Sequence, residues 1–136
     1  MNKVYLTRRE NFCASHRLHE PSLSDQQNAD LYGYCNWKNG HGHNYEIFVT
    51  VCGNPDPKTG MIINLVDLKK MIHEVIINRV DHRHLNFDVD FLRGINPTAE
   101  NLVVVFWNEL KKVVGNLLYE VKLQETENNV VVYRGE

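Results

Sequence analysis

Along the first eighteen residues, Val4, Leu6, Phe12, Ala14, His16 and Leu18 fall on one face of an alternating pattern, which predicts a long strand over residues 3–18. Arg8 and Glu10 interrupt that face, so a bulge near the middle is expected. Residues 19–40 are polar and lack a period; Ser24 is a candidate cap for a short helix and Asn39-Gly40 signals a turn. Alternation returns over residues 43–52, where Tyr45, Ile47, Val49 and Val51 share one side, and Asn54-Pro55-Asp56-Pro57 with Thr59-Gly60 ends the strand. From Asn64 to Arg79 the spacing becomes helical through Leu65, Leu68, Ile72, Val75 and Ile76, with Asn64 as cap. A second helix starts at Thr98, after Pro97, carries Leu102, Phe106, Leu110 and Val113 on one side, and stops at Gly115. Within it Val103-Val104-Val105 has competing strand character. A hairpin closes the chain: Leu117 to Thr126, a turn at Glu127-Asn128-Asn129, and Val130 to Tyr133.

The order β-β-α-α-β-β predicts an α+β fold, a four-stranded antiparallel sheet with two helices on one face, in one domain over residues 1–136. Helices on one face leave the other bare, so subunits are expected to cover one another's faces or edges. A structureless stretch as long as 19–40 inside a compact domain is usually functional or disordered.

Composition narrows the function classes. A net charge of -2 lacks the basic balance of a general nucleic-acid binder, and the longest apolar run, Leu102 to Trp107, is far too short to span a membrane. No secretory leader pattern is visible, and three cysteines, an odd number without C-x-x-C spacing, fit reduced thiols; a cytoplasmic location is expected.

The chemistry concentrates at His16, His41 and His43. His41 and His43 lie on the face of Tyr45, Ile47, Val49 and Val51, and His16 ends the row of Phe12 and Ala14. If the two strands pair, three neutral imidazoles converge on one cation and leave its fourth position open, as a catalytic zinc requires. With seven histidines in the chain, ordinary structural roles are the competing explanation. Cys35, six residues before His41, is either a buried small hydrophobe or a thiol activated by a nearby cation. Asp81-His82 is either a proton relay or a helix-terminal charge pair. Glu125 shares the expected core face with Tyr119, Val121 and Leu123, where a carboxylate needs partners and could grip a guanidine-like edge. His19, His73 and His84 show no partner pattern and are expected at the surface.

In combination these stretches resemble the 6-pyruvoyl tetrahydropterin synthase family: Phe12-Cys13-Ala14-Ser15-His16-Arg17-Leu18, Cys35 to Tyr45, Gly60-Met61, Asp81-His82-Arg83, Thr98-Ala99-Glu100-Asn101, Glu125-Thr126 and Val131-Val132-Tyr133. The Cys-x5-His-x-His spacing is similar to the eukaryotic synthases, whereas bacterial carboxy-tetrahydropterin synthases typically have a shorter one. The resemblance implies a zinc lyase of tetrahydrobiopterin biosynthesis that acts on 7,8-dihydroneopterin triphosphate. It implies His16, His41 and His43 as zinc ligands, Cys35 as proton-abstracting base, and Asp81 with His82 as relay. Glu125 would anchor the pterin and join the relay, and Thr98 and Glu100 would line the pterin pocket. Ala99 stands where the family commonly has a second threonine, and Asn11 where some relatives have serine. The family's tunnelling fold implies a homohexamer of two stacked trimers with pockets between subunits. A sister reaction on the same substrate, giving carboxy-tetrahydropterin or sepiapterin, and a non-catalytic pterin-binding zinc protein are the alternatives.

Overall fold

In the computed structural model, which describes residues 2–136, β1 (Val4–His16) and β2 (His41–Gly53) pair antiparallel with an unbroken register, from Val4 opposite Gly53 to His16 opposite His41. The bulge expected in β1 is absent. Arg8 and Glu10 keep the strand's alternation because they neutralise each other: Arg8 Nε donates to Glu10 at 2.9 Å, and His73 Nε2 lies 2.7 Å from the same carboxylate. Burial pushes the Glu10 carboxyl up, but the His73 and Arg8 hydrogen bonds together outweigh it and hold it below its usual value.

Ser24 caps α1 (Asp25–Tyr32) with a full capping box, its hydroxyl accepting from Gln27 N while the Gln27 side chain accepts from Ser24 N. Asn64 caps α2, which begins as Leu65–Ile72, widens into a π turn over His73–Ile77 and finishes as Asn78–Val80. The wider turn buries both Ile76 and Ile77 and sets His73 against Glu10. Thr98 caps α3 (Ala99–Val114), and Gly115, at φ 70°, ends it. The strand preference of Val103, Val104 and Val105 is overridden because helical spacing buries Leu102, Val103, Phe106 and Leu110 together.

The sheet has five strands, not four, in the order β3-β1-β2-β4-β5, and it is mixed. The additional strand, β3 (Arg83–His84), runs parallel to β1 at one edge, while β4 (Leu118–Thr126) and β5 (Asn129–Tyr133) form the closing hairpin. Two residues carry no readable period; backbone bonds from His82 N to Cys13 O and from Leu85 N to Ser15 O hold β3 in place. The irregularities belong to the β4–β5 pairing at Gln124/Thr126 and to the β2–β4 pairing at Thr50/Val51, where Leu118 rather than Tyr119 enters the core and Tyr119 packs edge-on against Tyr5.

One face of the sheet supplies Phe12, Tyr45, Ile47, Val49, Val51, Val121 and Leu123 to the core, and α2 and α3 cover it. Phe106 is fully buried and meets Phe12 and Phe91 edge-on, with ring centroids 6.0 and 6.3 Å away. Among the described residues no helix is long and apolar enough to cross a membrane. Replacing Phe106 with alanine is expected to destabilise the fold by about 3–5 kcal/mol, read as a lower urea midpoint at constant slope.

Candidate metal centre and active site

The continuous β1–β2 register places His16 opposite His41 and Ala14 opposite His43, at the end of the apolar rows. Alternation turns all three imidazoles to the core side. Their ring centroids are 4.7 to 5.1 Å apart, and one candidate ligand atom from each lies within 4.8 Å of the others. The turn into β2 presses against this corner: Gly40 has φ 79°, and a Cβ there would stand 2.8 Å from the His16 carbonyl oxygen.

His16 is 1% exposed. Its Nδ1 donates to the Pro97 carbonyl at 2.8 Å, which leaves the lone pair on Nε2, 3.1 Å from His41 Nε2. Burial drives its pKa down to about 4, against the opposing effect of the Pro97 hydrogen bond, and burial likewise lowers His41 and His43. All three are therefore neutral at pH 7, the state that binds metals. His41 Nδ1 and His43 Nε2 are buried without a hydrogen-bond partner. A buried orphaned nitrogen is costly, and a cation held in the cluster would satisfy His43 Nε2, while His41 faces His16 through its other nitrogen, Nε2. The imidazole–carbonyl bond to Pro97 is the support that metal-binding histidines usually have.

Two cavities lie near this corner. One, of about 510 Å³, is lined by Tyr34, Cys35, Trp37, Gly40, His41 and His43. Cys35 sits there on a 3-10 turn, Gly33–Asn36, and burial raises its thiol pKa, assisted by the charge of Glu125. The other, of about 540 Å³, contains Tyr32, Thr98, Glu100 and Glu125. Glu125 of this second cavity has its carboxylate 3.8 Å from His43 Nε2 and 4.0 Å from His16 Nε2. Burial, then the charge of Glu100, raises its pKa.

Comparison with known proteins gives the same answer along the chain. Residues 5–136 match the family model described as 6-pyruvoyl tetrahydropterin synthase. The chain belongs to that family. It is 50% identical to the human 6-pyruvoyl tetrahydrobiopterin synthase over 98% of this chain and 93% of that protein, and 47% identical to the Drosophila melanogaster protein of the same name over 97% and 80%. The solved Caenorhabditis elegans 6-pyruvoyl tetrahydropterin synthase superimposes with a TM-score of 0.95 at 41% identity, covering 100% of this chain and 98% of that one. The chain is thus an enzyme of the synthase family.

Not every synthase-like residue gathers at this corner. Asp81 accepts from Cys13 N at 2.9 Å and pairs with His82 Nδ1 at 3.0 Å, and the bond from Cys13 N is the main reason its carboxyl stays below the usual range. Both line a separate cavity of about 250 Å³ with Cys13 and Asn44, residues that point away from the face of His16 and His43. His82 has φ 61°, a left-handed conformation rare for a side chain of this kind, and its ring is 80% exposed. The histidines expected to stand alone are partnered: His73 by Glu10, His19 Nδ1 by Asn36, and His84 Nδ1 by Asn86 N. Pro97 and Tyr45, whose hydroxyl lies 3.3 Å from His16 Nδ1, support the cluster. Tyr45 was readable only as an apolar-row residue, and the Pro97 carbonyl leaves no trace in a sequence.

The buried imidazoles make stability depend on pH. A histidine held near pKa 4 contributes fully above its unfolded value near 6.5 and loses that contribution as pH falls toward 4. In a chelator, unfolding free energy is expected to drop by on the order of 3 kcal/mol between pH 7 and pH 4 from His16 alone. Replacing His16 with phenylalanine should flatten that part of the curve.

Proposed function

We propose that the chain is a zinc-dependent lyase of tetrahydrobiopterin biosynthesis. It converts 7,8-dihydroneopterin triphosphate to 6-pyruvoyl-5,6,7,8-tetrahydropterin with release of triphosphate. The observation that carries this reading is the gathering of three neutral imidazoles, with Cys35 in the same cavity as His41 and His43 and Glu125 within 4.0 Å of His16 and His43. His16, His41 and His43 would hold the metal; an all-imidazole set with orphaned nitrogens suits zinc. When bound, zinc would acidify hydroxyl-bearing positions of the substrate side chain and stabilise negative charge on oxygen.

Glu125, with Thr98 and Glu100 in the same cavity, receives the pterin. A half-buried carboxylate with a raised pKa gains most from a ligand that offers two parallel N–H groups, as an aminopyrimidine edge does. Cys35 then takes a proton from a side-chain carbon as thiolate, a form that burial opposes and that a cation held by the three histidines would favour. The carbon–oxygen bond to triphosphate breaks, and protons return to the ring as the side chain tautomerises. Elimination and internal tautomerisation balance without external electrons, so no nicotinamide or flavin enters.

Asp81 orients His82 by accepting from Nδ1, which leaves Nε2 to exchange protons. His82, with a left-handed backbone, holds its ring in solvent and lines a different cavity from Cys35 of its own chain. The pair fits a role at a pocket shared with a neighbouring subunit in a homohexamer of stacked trimers. The exposed Val130 and Val132 on edge strand β5 support such an assembly. Each chain contributes a single domain, and the three free cysteines favour the reducing cytoplasm.

The deciding experiment incubates the zinc-loaded protein with 7,8-dihydroneopterin triphosphate and identifies the product by mass spectrometry. A 6-pyruvoyl product with stoichiometric triphosphate is expected, and a carboxy-tetrahydropterin product overturns the reading. Cys35→Ala should retain zinc and pterin binding while kcat falls at least about 100-fold. Full turnover in that variant removes Cys35 from the mechanism. For the shared pocket, Cys35→Ala and His82→Ala are each expected to be nearly inactive, while dissociating and reassembling them together restores part of the activity. A mixture as inactive as its parents contradicts the sharing.

A further inference from the structure

Cys35 stands on a four-residue turn, an element too short to hold a side chain in place by itself. The hydrogen bonds that restrain this turn come from the chain leaving His16. Leu18 N donates to the Cys35 carbonyl at 2.8 Å, and Arg17 Nε donates to the Asn36 carbonyl at 2.9 Å. The Asn36 side chain completes the clasp. Its Nδ2 donates to the Leu18 carbonyl at 2.7 Å and to His19 Nδ1 at 3.0 Å, so both carboxamide hydrogens have acceptors. Asn36 is 9% exposed, and water does not readily replace these bonds.

Residues 17–19 are themselves fixed. Asn86 Oδ1 accepts from Arg17 N at 2.9 Å and Asn86 Nδ2 donates to Arg17 O at 2.8 Å, while His19 N donates to Asn96 Oδ1 at 3.2 Å. His16, one residue earlier, is tied to Pro97. A continuous path therefore runs from the histidine cluster through three residues to the turn that bears the thiol. We propose that Asn36 is a positioning residue for Cys35, its carboxamide locking the thiol-bearing turn against the strand end that supplies His16. This rests on the reading of Cys35 as the proton-abstracting base.

The chemistry of the clasp predicts which changes break it. An aspartate has the same shape but no N–H, and it would set a carboxylate against the Leu18 carbonyl oxygen. Alanine leaves that buried carbonyl unpaired. A base displaced by about 1 Å can lose on the order of 100-fold in rate, while ligand contacts made elsewhere are unaffected. The loss should fall on kcat and spare KM, because Glu125, Thr98 and Glu100 bind from the other cavity.

The test uses the zinc-loaded full chain with Cys13→Ser and Cys52→Ser, so that Cys35 is the single thiol. Asn36→Asp and Asn36→Ala are compared for kcat, KM, zinc content and the rate of iodoacetamide alkylation. A kcat about 10- to 100-fold lower is expected, with KM within about twofold, full zinc and severalfold faster alkylation. Turnover within about twofold of the parent, or kcat and zinc content lost together, overturns the proposal. Should the Asn36 variants fail to fold, His19→Ala removes one acceptor; a severalfold fall in kcat at full zinc supports the clasp and unchanged kcat overturns it. Cys35→Ala separates the two claims. If it is inactive while the Asn36 variants are fully active, positioning alone fails. If it is fully active, the base assignment fails, and the alkylation rates still decide whether Asn36 holds the turn.

Discussion

The antiparallel register of β1 and β2 is the constraint on which the site depends, because it turns three residues distant in sequence into one cluster. A slip by one residue would send His16 to the opposite face from His41 and His43 and put Phe12 and Ala14 into solvent. The apolar rows resist that slip. Phe12 stacks on Tyr45 at 4.8 Å, and the next residues of both rows are buried under α2 and α3. The burial that stabilises the sheet is thus also what fixes the relative position of the imidazoles. The geometry of the candidate metal site and the stability of the fold share one cause here, and the three histidines lie at its end rather than its centre.

Burial has a second consequence, which is chemical. It lowers the three histidines, raises Cys35 and raises Glu125, so every titratable group at the corner is pushed toward its neutral form. Such a set is poorly compensated alone. A divalent cation held by the three histidines would reverse the balance, since it would accept the imidazole lone pairs, favour the thiolate and offset the carboxylate.

Much of this was legible from periodicity. The alternation of both long strands, the caps at Ser24, Asn64 and Thr98, and the stop at Gly115 appear as read. Glu125 stood out because a carboxylate on a core face demands a partner; it lies 3.8 to 4.0 Å from the neutral histidines and lines the neighbouring cavity. What failed was local. Arg8 and Glu10 looked like a bulge because pattern alone cannot see that His73, 63 residues away from Glu10, completes their pairing. β3 was missed because two residues cannot display a period, and the sheet gained a fifth, parallel strand. The supports of the site, the His16–Pro97 and Asn36–Leu18 bonds, each end on a backbone carbonyl, a group that every residue possesses and that no pattern marks.

The structure divides its functional groups between two kinds of support. The candidate metal ligands stand on strands, where the β1–β2 ladder fixes them relative to one another. The candidate proton carriers stand on irregular backbone: Cys35 on a 3-10 turn and His82 on a strained residue after α2. A metal site needs its ligands fixed relative to one another, which a regular ladder supplies for any sequence that keeps the register. A proton carrier must reach a substrate atom outside the sheet, so it needs a departure from the ladder and then a specific restraint on that departure. At Cys35 the restraint is a set of side-chain and backbone hydrogen bonds to residues 17–19; at His82 it is Asp81, itself held by Cys13 N. Both restraints end on β1 or the chain that continues from it, so the strand that carries His16 also sets the reference frame for the proton chemistry.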